Sequence, residues 1–200
     1  MLKRCLSGFG SLALLMLMGS GCSSVSDIYT QKNPQWSGKP VERVMVVGDF
    51  PNLADRRNAE SEMCEAISDA SSSECFQSLD YVFASGHEDK EITAAMNKHQ
   101  IGALIYVSNQ GSGSDVVSTP TIVTTTAWST GLLTSIGSGG SKSVSWANYS
   151  IKVYLPNGLM IWNGGVKAGG DDKDELIEDS SEAAASEMAD SGIILPPKPD

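Results

Sequence analysis

The chain has 200 residues, 40% of them hydrophobic and 19% charged, enough apolar material for the core of one domain and too little charge for disorder throughout. Fourteen bases against 24 acids give a formal charge of −10, which excludes the basic face that nucleic-acid phosphates require. Two histidines, His87 and His99, leave little scope for a histidine-built metal site or a His-dependent triad, so no metal and no cofactor is expected.

Lys3 and Arg4 precede an apolar run, Leu12 to Met18, and Gly19-Ser20-Gly21 lead into Cys22. The run is too short for a permanent membrane span, so residues 1–21 read as a cleaved signal. Small residues directly before a cysteine resemble the bacterial lipobox, in which the cysteine becomes the lipidated first residue of the mature protein. This chain departs from that pattern at Gly19, where the family usually carries Leu; ordinary cleavage near Gly21 with a free Cys22 is the alternative. Ser23, in place of Asp, implies through the same resemblance an outer-membrane lipoprotein on the periplasmic face. Several acyl chains on Cys22, palmitate among them, would make a lasting anchor where one binds weakly.

Cys5 leaves with the signal and Cys22 is taken by lipid, which leaves Cys64 and Cys75. An even pair in an oxidising compartment reads as a disulfide, with two free thiols as the alternative. Loss of Lys3 and Arg4 with the signal leaves 12 bases against 24 acids, a mature charge of −12.

Residues 22–40 are polar, contain Pro34 and Pro40 and show no periodicity, so they read as a lipidated cysteine and flexible tether spanning about 25 Å. Residues 42–50, ERVMVVGDF, predict a buried first strand. Residues 55–70 carry Ala59, Met63, Ala66, Ile67 and Ala70 near helical spacing and predict a helix on the sheet. Cys75 to Val82 is a short strand or irregular crossing. A second helix is expected over Asp89–His99, with Ile92, Ala95 and Met96 inward, and a strand over residues 103–110.

Residues 111–142 hold seven Ser, seven Thr and six Gly among 32 positions, interspersed with Val116, Val117, Ile122, Val123, Trp128, Leu132, Leu133 and Ile136. Thr and Val favour extended structure and Gly favours turns. The stretch is expected to be an exposed hairpin or long loop with an apolar side, and these eight residues the contact surface. The competing reading folds it back as extra strands over its own sheet. Alternation over 143–155, a Pro-Asn-Gly turn at 156–158 and the return LMIWNGGVKA predict a β-hairpin. Asp171–Asp190 is a helix with acids at its start, where the dipole favours them; Gly192 stops it, and 195–200 is a tail.

The order predicts one α/β (α+β) domain over 41–194, a mixed sheet of about four to six strands with two or three packed helices. GALIYVSNQGSGS, then YSIKVYLPNGLMIWNGGVKA, then a helix resembles the small α/β domain shared by bacterial envelope lipoproteins such as PelC, LpoB and the periplasmic part of CsgG. The recurrent feature is a hairpin whose return strand carries a Trp, here Trp162. The resemblance implies a docking or ring-forming module and not an enzyme, with the membrane, an envelope protein or a second copy as partner.

The remaining candidate sites have plain structural readings. Asp171, Asp172, Asp174, Glu175, Glu178, Asp179 and Glu182 could hold Ca²⁺ or a cationic polymer, but lack EF-hand spacing and read as a solvated helix start. GGSK at 139–142 lacks the phosphate-loop pattern. Asp49 with Arg56 or Arg57 reads as a structural salt bridge near the end of the first strand. Trp162 reads as core and Trp128 as contact surface. No GxSxG elbow occurs. Two functions remain: a non-enzymatic assembly or docking lipoprotein, and a periplasmic binding protein for a soluble ligand or cationic polymer.

Overall fold

Val44, Met45, Val46 and Val47 are all fully buried, as an unbroken apolar run must be when both faces of its strand are covered. They belong to β2 (Arg43–Asp49), an interior strand one place in from the edge of a six-stranded sheet. The computed structural model describes residues 24–82, 89–118, 123–128, 131–136, 141–170 and 172–198. Its elements are β1 (Ser24–Lys32), β2, α1 (Leu53–Ala70), β3 (Glu74–Gln77), a 3₁₀ turn (Ser78–Asp80), α2 (Asp89–His99), β4 (Ala103–Ser118), β5 (Val123–Trp128), β6 (Gly131–Ile136), β7 (Ser141–Tyr154), β8 (Met160–Gly170) and α3 (Lys173–Asp190).

The sheet order is β1-β8-β7-β4-β2-β3. β2 runs parallel to β3 and β4, and the other neighbours are antiparallel. The α/β expectation holds: one mixed sheet of six strands packs with three helices. α1 and α3 cover one face, where Met63, Ile67, Leu176, Ala184 and Met188 meet Val46, Ile105, Ile151 and Trp162. α2 covers the other face at one end, setting Ile92, Ala95 and Met96 on Met45 and Val47, with Phe76 of β3 and Leu104 and Tyr106 of β4 packed against them. α1 starts at Asn52, whose side chain accepts from the Ala54 amide at 2.9 Å. Asp172 does the same for Asp174 at the start of α3, at 3.0 Å, satisfying a donor that a helix start leaves free.

Three expectations are corrected. The flexible tether contains an edge strand: β1 pairs with β8 from Ser24 opposite Gly169 to Lys32 opposite Trp162. Val25 and Ile28 pack on the core, and Trp36, beyond the strand, is buried with the Lys32 ammonium 4.9 Å from its ring centroid. A register shift between Val25 and Asp27 breaks the alternation that would have shown the strand. Second, β4 does not end near residue 110 but continues to Ser118, paired throughout with β7. Third, the tail begins held: the Ser72 hydroxyl donates to the Pro196 carbonyl at 2.8 Å, and the Leu195 amide to the Ser73 hydroxyl at 2.9 Å.

Candidate functional site

The C-terminal end of a parallel strand is where open α/β sheets place ligands, and a buried carboxylate stands there. Glu60 on α1 is fully buried and Arg56, one turn earlier, nearly so. The pair is 2.9 Å apart; Arg56 does not engage Asp49, as the sequence reading had it. Glu60 Oε1 accepts from the Gly48 amide at 3.0 Å and from the Ser78 hydroxyl at 2.7 Å. Its Oε2 accepts from the Leu79 amide at 2.9 Å, and Arg56 also donates to Ser78 at 2.8 Å. A carboxylate engaged on both oxygens is a fastener between α1, β2 and the turn after β3, not a reagent. Cys64 on α1 and Cys75 on β3 are joined as a disulfide beside it, Cα to Cα 5.3 Å.

Around α1 and α3 the chemistry is acidic. Burial, and then the carboxylates of Glu178, Glu65 and Asp174, hold the Glu62 carboxyl above its ordinary range. Asn58 donates to Asp174 across the seam at 3.1 Å. Beneath it lies Tyr149 of β7, 2% exposed, with a hydroxyl that has no hydrogen-bond partner. Burial, and then Asp55 and Asp174, push its phenol up to about 12. Asp172 caps its helix, as a solvated helix start would; Asp171 lies outside the described residues. Among the described residues no three His, Cys, Asp or Glu side chains are grouped to hold a metal.

The sheet face that α2 leaves open is polar with scattered aromatics. Tyr29, 64% exposed, lies over Gly165, where its ring leaves no room for a Cβ. Trp146 lies likewise over Gly113. Two shallow grooves of about 280 and 410 Å³ share Asn148 and Lys167. The sequence reading passed over Tyr29 and Trp146; their pairing opposite glycines becomes visible only with the register known.

The largest feature is an arm. The β4–β7 ladder runs from Leu104 opposite Tyr154 to Ser118 opposite Ser141, and β5 pairs with β6 from Val123 opposite Ile136 to Trp128 opposite Gly131. From Gly111 onwards the two residue numbers of every pair add to one total, the same in both ladders. β2 flanks β4 only as far as Ser108, and β8 flanks β7 only from Ser145. The segment therefore holds strands that run past the rest of the sheet, with a second paired unit, β5 with β6; among the described residues this second unit does not pair with the six-stranded sheet. Val116 and Val117 stand on β4, Val123 and Trp128 on β5, and Leu132, Leu133 and Ile136 on β6. Ile122 and Cys22 lie outside the described residues, as does His87. Between Asp115 and Lys142 the sequence holds no charged residue.

Other sequence-predicted residues have structural places. Trp162 is buried against the core, as expected. His99 packs its ring on Tyr81, centroids 4.4 Å apart. No helix among the described residues is long and apolar enough to cross a membrane.

No protein-family model and no curated protein matches the chain. Among solved structures it is similar in outline to the PelC dodecamer of Paraburkholderia phytofirmans, with 7% identity and a TM-score of 0.49 over 82% of this chain and 96% of that one. Lipoprotein GNA1162 of Neisseria meningitidis is similar at 13% identity and a TM-score of 0.42, over 74% of this chain and 98% of that one. Of the three proteins named in the sequence analysis, PelC is among these structures. The fold is read from the sheet and helices described above.

Proposed function

We propose that this protein is a non-enzymatic outer-membrane lipoprotein, anchored by lipid on Cys22 and facing the periplasm, that works as an assembly module of the cell envelope. The arm carries this reading. Strands that continue past the rest of the sheet carry Val116, Val117, Val123, Trp128, Leu132, Leu133 and Ile136, with Ile122 between them in sequence, and such apolar residues are costly to leave in water. Association with further copies, or with an envelope partner, gives those residues somewhere to go.

The test is to replace residues 117–142 by Asn-Gly, a two-residue turn suited to a tight hairpin, leaving Val116 and Ser143 as the last pair. The melting temperature should change by no more than a few degrees. Detergent-extracted wild type should show discrete high-mass species that the shortened protein lacks. An unfolded variant, or assemblies that survive the deletion, would overturn the reading.

A further inference from the structure

We infer that Asn157 is a modification site: the backbone nitrogen of Gly158 displaces its side-chain ammonia, and the protein ages into a form with aspartate or isoaspartate in the β7–β8 turn. The inference stands apart from the proposed function and needs no partner.

Asparagine is among the heat-labile side chains. It is most open to this reaction when glycine follows, because no side chain hinders the attacking amide. Asn-Gly occurs twice in the chain, at 157–158 and at 163–164. The sequence treats the two alike, and the fold does not.

Asn163 and Gly164 lie inside β8, a strand paired on both sides. Asn163 stands opposite Lys152 of β7 and Gln31 of β1, and Gly164 opposite Ile151 and Thr30. Gly164 is buried, as is Oδ1 of Asn163. To close a ring there, the Gly164 amide would have to leave the ladder, and interior strands open only with the fold as a whole.

Asn157 is placed differently. Pro156 to Met160 are all exposed. The Gly158 amide donates to the Leu155 carbonyl at 2.9 Å, and the Leu155 amide to the Leu159 carbonyl at 2.9 Å. Gly158 has φ +82° and open space where a Cβ would stand, a left-handed position that suits glycine. Releasing its amide breaks one solvent-exposed hydrogen bond, the kind of local opening that costs little. Oδ1 of Asn157 accepts from the Leu159 amide at 3.1 Å. That bond folds the carboxamide over the chain that follows it, beside the Gly158 nitrogen. It also sets a donor on the oxygen where negative charge builds as the carboxamide is attacked.

The step balances without an oxidant or a cofactor. Water or hydroxide takes the Gly158 amide proton, and the nitrogen bonds to Asn157 Cγ. The Cγ–Nδ2 bond breaks, and Nδ2 leaves as ammonia with a proton from water. Hydrolysis of the resulting succinimide at Cγ gives aspartate. Hydrolysis at the main-chain carbonyl gives isoaspartate, whose backbone runs through Cβ and Cγ. Either product adds a negative charge. Isoaspartate also lengthens the chain in a turn whose length sets the register of its strands, and the pairs nearest to it are Tyr154 with Met160 and Val153 with Trp162.

The test incubates the full-length protein in detergent at mildly alkaline pH, beside the same protein reduced and unfolded in guanidinium chloride. Fragment masses locate any gain equal to the exchange of an amino group for a hydroxyl, and electron-transfer fragments tell isoaspartate from aspartate. In the folded protein Asn157 should convert and Asn163 should not; in the unfolded chain both should. Asn157→Gln, whose ring closure would be larger and slower, should lose the conversion at 157 with the melting temperature unchanged. Conversion of both sites in the folded protein, of neither, or of Asn163 alone would overturn the inference. So would an Asn163 that stays unchanged after unfolding, since the sheet would then not be what protects it.

Discussion

Three donors converge on one oxygen of Glu60 and a fourth on the other. Replacing it by Gln turns one acceptor into a donor facing N–H or O–H groups and leaves Arg56 buried without its counter-charge. Breaking one side of a buried pair costs about 3–5 kcal/mol, so Glu60→Gln should lower the unfolding free energy by that amount in chemical denaturation. Tyr149 makes the complementary case. Its folded pKa of about 12 lies above the unfolded value near 10. Between those values the unfolded chain has lost a proton that the folded one keeps, so stability falls as pH rises through that window. A shift from about 10 to about 12 corresponds to at most about 3 kcal/mol. Tyr149→Phe should remove this part of the alkaline loss and cost little at pH 7, since the hydroxyl has no partner to lose; equal alkaline unfolding of both proteins would refute it. Neither residue was legible beforehand. Glu60 stands in a helix with many other acids, and only the meeting of α1, β2 and the turn after β3 tells it from them.

At the scale of elements, local pattern served wherever the partner was near in sequence. Ala59, Met63, Ala66 and Ile67 showed the buried side of α1, and the four-residue apolar run showed β2. The disulfide was legible from cysteine number and compartment, and it joins an element to the next one along. Closing a loop of that size contributes about 3 kcal/mol in the chain-entropy account. The double variant Cys64→Ser with Cys75→Ser should lose close to that in equilibrium unfolding, and no loss would mean that the reduced fold holds α1 on β3 unaided. The arm was legible in composition but not in length. Ser112, Ser114 and Ser118 carry no apolar mark of a strand, and their pairing with β7 lies beyond the register shift between Asn109 and Gly111. The eight apolar residues named from the sequence fall on that arm, apart from Ile122, which lies outside the described residues.

The whole molecule depends on its two ends more than a tethered domain would. Val41 bridges to Ile194, Lys32 donates to the Ser191 carbonyl at 2.7 Å, and β1 closes the sheet along β8. Removing residues 24–32 should therefore lower the melting temperature by several degrees, where loss of a tether would leave it unchanged; calorimetry of the two proteins separates the cases. This was the part least legible from sequence. The bulge near Ser26 hides the alternation, and the strand that β1 needs is among the last to be made.

That separation sets an order of events. Ser24 finds its partner Gly169 about 145 residues further along. A chain delivered N-terminus first presents β1 at once and β8 only near the end, so the first strand waits while almost everything else is synthesised. Contacts so remote in sequence form slowly, because the long loop must close before they gain anything. On the reading proposed above, cleavage before Cys22 and its acylation would fall within that wait, while β1 is still without its partner strand. Once β8 arrives, the same residues are zipped into the sheet and the interval is over.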